Sequence, residues 1–433
     1  LRYSIAFELE NLQFMLKIKY TLFCGVIFFC LFFSCNRNMP STEIQEEDMN
    51  EMEEMEETMP MAFCENGFAS IYPCNDYDLM THMPLSTFGV AEANDSWGWT
   101  DPETGKEYAL VGTDRSTVFV DITDTENPIY IGNMPTATIS SPWRDVKVYQ
   151  NHAFVVADNV QGEDSHGMQV FDLTRLRNVV NPPQTLREDA RLTDIGRAHN
   201  IVINESTGYA YIVGGTSANG GPIFVNIQEQ KNPLVEGSLT QGGYSHDAQV
   251  VTYSGPDSDY TGKEILIGSN ENEVVIADVT DKANPTIIST ISYSNVEYAH
   301  QGWFTEDMRY FILGDEVDEI RVGNNTRLII FDFTDLDNPL NHFEYVANNP
   351  SIDHNGYVKG NTFYQASYRA GLRVLDISNI ANRSFTEIAF FDTYPEDDDT
   401  NFDGAWNVYP FFESGNIVIS DINRGLFVVR KSQ

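Results

Sequence analysis

Positive charge is scarce in this chain. Against 64 Asp and Glu stand only 26 Lys and Arg, a formal net charge of −38. Such a surface repels a polyphosphate backbone, which excludes nucleic acid as a partner. Cysteine is also rare, five in 433 residues, so a disulfide-dense scaffold is excluded. No apolar run is long enough to span a bilayer comfortably: the longest, Leu22 to Phe33, is about a dozen residues. A Gly-x-Ser-x-Gly elbow, a Walker loop, a His-Glu-x-x-His pair and a dinucleotide fingerprint are all missing. Paired carboxylates for glycoside hydrolysis stay open among so many acids. A sustained helical period is missing too, which weighs against α/β folds. What is present is 42% hydrophobic and 12% aromatic residues, ample for a large core in several domains or one all-β unit.

The first 34 residues read as an address. Lys17 and Lys19 precede the apolar run, which ends at Ser34-Cys35; this is the layout of a secretory signal. Met15 is the expected start, with residues 1–14 an over-extended beginning. Leu31-Phe32-Phe33-Ser34-Cys35 resembles a bacterial lipobox in its looser Bacteroidetes form, which implies acylation of Cys35 and anchoring to a membrane through that lipid alone. Asn36 gives no inner-membrane retention signal. Glu46, Glu47 and Asp48 resemble export signals of surface lipoproteins, so an outer-membrane or cell-surface location is expected. Residues 35–62 carry nine acids and six methionines and read as a self-repelling tether. Thioether ligation of Cu(I) is a second reading of the methionines.

Cys24 and Cys30 leave with the signal and Cys35 takes lipid. Cys64 and Cys74 remain, and in an exported chain a disulfide is the economical reading, a metal pair the other.

Residues 63–433 repeat. Runs such as Val118-Phe-Val-Asp121 and Ile329-Ile-Phe-Asp332 end in an acid or amide at 121, 172, 226, 278, 332 and 376, with a last mark at Val428. Asn-Pro turns follow at 127, 232, 284 and 338. A second mark precedes each strand pair: Trp97-Gly-Trp99, Trp143-Arg-Asp145, Ala198-His-Asn200, Ser245-His-Asp247, Ala299-His-Gln301, Asp353-His-Asn355 and Ala405-Trp-Asn407. Four short strands per roughly fifty residues is the content of a propeller blade. An all-β, seven-bladed β-propeller is therefore expected. The last unit is one strand short, and the N-terminal run Pro84 to Ala91 is expected to supply it, closing the ring.

With these segments laid out, the chain resembles the choice-of-anchor B family of LVIVD-repeat propellers. The matching stretches are Ser165 to Thr174, Ser245 to Val250, Ala299 to Trp303, Gly314 to Glu319, Tyr368 to Asp376, Gly404 to Pro410 and Ser420 to Leu426. The resemblance implies a propeller carried by one of several surface anchors, here the lipid, and implies no particular chemistry.

His199, His246, His300 and His354 hold the same mark on four consecutive units, and Asp145 holds it one unit earlier. Equal marks mean equal height around the central channel, so these imidazoles could meet at a transition metal. The competing reading has each histidine bonding a neighbouring blade, as repeated polar pairs do in propellers. His166 is either a fifth participant or a loop residue. Asp399, Asn401 and Asp403 reproduce half of a calcium loop, with Pro410 where the twelfth-position acid belongs. Asp315, Glu316, Asp318 and Glu319 form a second acidic cluster open to Ca2+. The expected function is a lipid-anchored surface propeller binding a protein or glycan; the alternative is a metal-dependent oxidoreductase or hydrolase using the histidine ring.

Overall fold

A computed structural model describes residues 58–158 and 165–433. The signal, Cys35 and most of the tether lie outside the described residues. The rest is a seven-bladed β-propeller. Its inner strands are Ala93–Thr100, Arg144–Tyr149, Asn200–Asn204, Asp247–Thr252, Ala299–Phe304, Asp353–Lys359 and Ala405–Tyr409, opening blades 1 to 7 in order. Each inner strand packs on the next and the seventh on the first, so the ring is closed.

The repeat marks have a local cause. The acid or amide ending the third strand folds its side chain back on the backbone two residues on. Asp121, Asn226, Asp278, Asp332 and Asp376 accept from the N–H of Thr123, Gln228, Thr280, Thr334 and Ser378. These are Asx turns, which stop one strand and launch the next. Second and third strands are buried on both faces and read as continuous apolar runs, whereas the fourth strands of blades 4 and 5, Thr286–Ile291 and Leu340–Val346, are partly exposed. The core is a set of layers between blades: Ile265, Ile267 and Ile276 of blade 4 pack on Phe304, Phe311 and Leu313 of blade 5.

The ring closes one segment earlier than expected. Tyr77–Met83 pairs antiparallel with Gly425–Lys431 as the fourth strand of blade 7. Residues 84–91 instead contain the one-turn helix Leu85–Phe88. Pro84 has no N–H to give a ladder, which favours leaving the strand there. All seven residues of Tyr77–Met83 are buried, so the strand shows no alternation to betray it. The preceding hairpin, Phe68–Ala69 and Tyr72–Asn75, adds to the outer edge of blade 6. Cys64 and Cys74 are disulfide-bonded across this clasp. Residues 58–62, assigned to the tether by sequence, pair with the closing strand at Met59 and Ala62.

Candidate functional site

The channel is lined by two successive layers of side chains. The first is a system of staples. Asp95 accepts from Val146 N–H at 3.2 Å, Asp145 from Ile201 N–H at 2.7 Å, Gln249 from Phe304 N–H at 2.8 Å and Gln301 from Gly356 N–H at 3.0 Å. Asn200 donates to His246 O at 3.1 Å, Tyr357 to Asn407 at 2.9 Å, and Asn407 to Ser96 O at 2.6 Å. Every blade boundary is bridged at least once. Asp145 thus belongs to this layer and departs from the sequence expectation. Its mark sits one residue past the histidine position, and its carboxylate is taken by Lys147 and the blade 3 backbone. Lys147 also pairs with Asp95 at 3.0 Å and lies 4.7 Å over the Trp97 ring. Rings of Trp97, Trp303, Tyr357 and Tyr409, from blades 1, 5, 6 and 7, meet edge to face.

The second layer is an arc of rings. Trp143, His199, His246, His300, His354 and Trp406 follow one another on blades 2 to 7, with centroid separations of 5.9, 4.6, 4.4, 4.4 and 4.7 Å. The four sequence-predicted histidines do converge. His246 Nδ1 lies 3.4 Å from His300 O and His354 Nδ1 lies 2.5 Å from Trp406 O, contacts that a carbonyl can only accept. Placing the proton on Nδ1 leaves Nε2 a free lone pair, the form a metal ligand needs.

Electrostatics divide the four. Burial, reinforced by neighbouring imidazoles, holds His246 and His300 well below the usual histidine range. Burial brings His354 down to about 3 despite its bond to Trp406 O. These three are neutral. His199 differs: burial opposes its charge, but the Asp158 carboxylate, 3.6 Å from Nδ1, outweighs burial and raises it.

Sequence reasoning did not single out the decisive partner. Glu316, just after the second strand of blade 5, places one oxygen 3.6 Å from His300 Nε2 and the other 3.6 Å from His354 Nε2. The ligand atoms of His300, Glu316 and His354 all lie within 4.8 Å of one another. Atoms bound at ~2.0–2.2 Å to one centre stand roughly 3–4 Å apart, so little adjustment would be needed. Tyr368 O–H donates to Glu316 at 2.9 Å and fixes the carboxylate. Burial raises Glu316 to about 7. The visible signal was the Gly314-Asp-Glu run, read only as a calcium candidate.

The remaining calls lie elsewhere. His166 is fully buried, donates from Nδ1 to Gly167 O at 3.0 Å and accepts from Arg144 at 3.2 Å, so its role is internal. In the calcium-like loop, Asp403 accepts from Arg369 at 2.6 Å and Asn401 from Phe402 N–H at 2.9 Å, while Asp399 N–H donates to Asp397 at 3.0 Å. Arg369 also reaches Asp397 at 2.8 Å, supplying there the positive charge a cation would bring.

No protein-family model matches the chain, and no curated protein does. Solved structures do. Hydrazine synthase of Kuenenia stuttgartiensis aligns with a TM-score of 0.51 and 13% identity, covering 75% of this chain and 92% of that one. A Lactobacillus plantarum protein aligns at 0.49 and 12%, covering 76% and 88%. A functionally unknown protein of Desulfotomaculum acetoxidans aligns at 0.47 and 14%, covering 70% and 90%. At such identities the likeness concerns the fold alone.

Proposed function

We propose that this chain is a lipid-anchored surface propeller of the choice-of-anchor B type that binds its ligand at the channel mouth through a divalent transition metal. The observation that carries the metal is the convergence of His300, His354 and Glu316 with the imidazoles neutral. Imidazole and carboxylate donors suit Zn2+, Cu2+ or Fe2+. His246, next in the arc, stands beside this set, and the half-buried Trp143 and Trp406 at its ends offer stacking faces to a glycan or protein side chain.

The anchor rests on the Ser34-Cys35 motif and the acidic tether. A metal-dependent oxidoreductase or hydrolase is the second reading. It is favoured by a three-ligand set, which leaves a coordination position open as catalytic sites do.

Metal analysis of the purified chain after loading with Zn2+ or Cu2+ tests the centre. Near-stoichiometric metal is expected, with affinity falling about 100-fold or more when His300→Ala and His354→Ala are combined. Less than about 0.1 ion per folded chain sinks the proposal. Labelled fatty acid should follow the chain in vivo and be lost in Cys35→Ala; label that persists defeats the anchor.

A further inference from the structure

A single apolar side chain facing water needs no partner. The clasp before the closing strand carries several together. Among the described residues the exposed phenylalanines are Phe63, Phe68 and Phe402, at 60%, 53% and 37%, and two of these three belong to the clasp. Ile71, in the two-residue tip of its hairpin, is 46% exposed.

Register explains why they collect on one side. Phe68 pairs with Pro73 and Ala69 with Tyr72, while Cys74 and Asn75 pair with Phe391 and Phe390 of the fourth strand of blade 6. Paired residues share a face and successive residues alternate. Ala69, Tyr72, Cys74 and Phe391 turn inward, and all four are buried. Phe68, Pro73 and Phe390 turn outward, and Ile388 of the same blade 6 strand adds a side chain that is 42% exposed. The Cys64–Cys74 disulfide closes residues 64–74 into a loop, which holds the outward face in shape before anything binds it.

Charge singles out the same segment. From Ala62 to Asn75 the one charged residue is Glu65, in a chain with 64 acids. Residues 35–62, just before it, carry nine. Anionic headgroups repel an acidic surface, and this segment contributes almost none of that repulsion.

Position then names the occupant. Phe63 follows Cys35 by 28 residues. The chain coming from Cys35 is pinned to the ring where Met59 pairs with His82 and Ala62 with Leu79, directly before the patch. Even as a random coil, 28 residues span roughly 30 Å, so a lipid on Cys35 keeps the clasp at high effective concentration beside the bilayer.

We propose that the clasp docks on the lipid surface that carries the Cys35 anchor, with Phe63, Phe68 and Ile71 entering the boundary between headgroups and acyl chains. The docking rests on the anchor proposed above and adds an orientation to it. The clasp extends the outer edge of blade 6. With that edge on the lipid, the channel lies along the membrane and its mouth opens to the side.

The test uses the acylated chain, purified from membranes and reconstituted into phosphatidylethanolamine–phosphatidylglycerol vesicles that contain brominated phospholipid, a quencher of tryptophan at the acyl boundary. Ile71→Trp is the reporter. Leu340→Trp, at a 64% exposed site on the fourth strand of blade 5, is the control. The tryptophan added at position 71 should be quenched and the one at position 340 should not. Adding Phe63→Ser and Phe68→Ser to the reporter should cut quenching roughly threefold or more, with melting unchanged. A chain that stays on the vesicles with position 71 unquenched overturns the docking alone. A chain that does not stay on them overturns the anchor and the docking together. Quenching equal at both positions, or unmoved by the double substitution, overturns the docking as well. A dimer in sedimentation that the double substitution dissolves, with position 71 unquenched, assigns the patch to a second copy of the chain instead.

Discussion

Two neighbouring residues on one strand of blade 5 meet opposite fates. Gln301 gives its side-chain oxygen to Gly356 N–H and joins blade 5 to blade 6. His300 leaves Nε2 facing a carboxylate 3.6 Å away. The same contrast runs around the ring, staples in one layer and imidazoles in the next. The staple layer spends its side chains on the neighbouring blade and explains why the ring closes. The ring layer instead turns Nε2 of His300 and of His354 toward Glu316. Of the two sequence readings of the histidines, interblade bonding is met by Nδ1 in His246 and His354, which leaves Nε2 to the proposed metal.

The largest break in this contrast is expected at Asp145. Its carboxylate is 3% exposed, accepts from Ile201 N–H and pairs with Lys147. Asp145→Ala leaves Lys147 with Asp95 alone and orphans a buried N–H. Removing one partner of a buried pair costs about 3–5 kcal/mol, to be read as a drop in the urea midpoint. Metal affinity of the folded variant should not change. If metal binding fell with stability unaltered, Asp145 would rejoin the ligands where its repeat mark first put it.

That near miss shows what a repeat can and cannot reveal. Blade number was legible because six of the seven third strands end in an Asx turn, and the turn needs an Asp or Asn. Histidine height was legible because four blades share one mark. Asp145 was misassigned because a mark fixes height to about one residue, and adjacent residues on a strand point to opposite faces or different layers. The closing strand was hidden by its own burial, since Asp78, Thr81 and His82 interrupt a run with no exposed face. Glu316 was missed as the histidines' partner for a third reason: it was read with the acids around it, as a calcium candidate, on charge rather than on its place beside the ring.

A histidine with neither role sharpens the comparison at intermediate size. His82, in the closing strand, is 3% exposed, stacks on Phe427 at 4.1 Å and donates from Nε2 to Arg424 O at 2.8 Å. Burial holds it at about 4. The folded value lies below the unfolded ~6.5, so the native state binds fewer protons there. Its contribution is present above about pH 6.5 and is lost as pH falls toward 4, on the order of 2–3 kcal/mol. His82→Gln keeps a donor for Arg424 O without the titration. Stability measured by urea unfolding from pH 7 to pH 4 should slope less in the variant; an unchanged slope would remove His82 from the acid response of the seam.

The smallest effect gives the cleanest comparison, because one chemical change can be made in both layers. Tyr357 O–H donates to Asn407 at 2.9 Å within the staples, and Tyr368 O–H donates to Glu316 at 2.9 Å beside the mouth. Both tyrosines are buried, 2% and 1% exposed, so Phe fills either site without a cavity. Tyr357→Phe should cost about 1 kcal/mol in unfolding free energy, the ordinary net worth of such a bond, and leave metal affinity alone. Tyr368→Phe frees a carboxylate whose orientation the proposed metal would need. Losing an outer hydrogen bond to a ligand weakens metal binding by roughly tenfold or more. Titrating both variants with Zn2+ alongside their melting curves separates the outcomes. Equal losses of affinity would mean that the two layers act as one, and the division of labour along the inner strands would have to be given up.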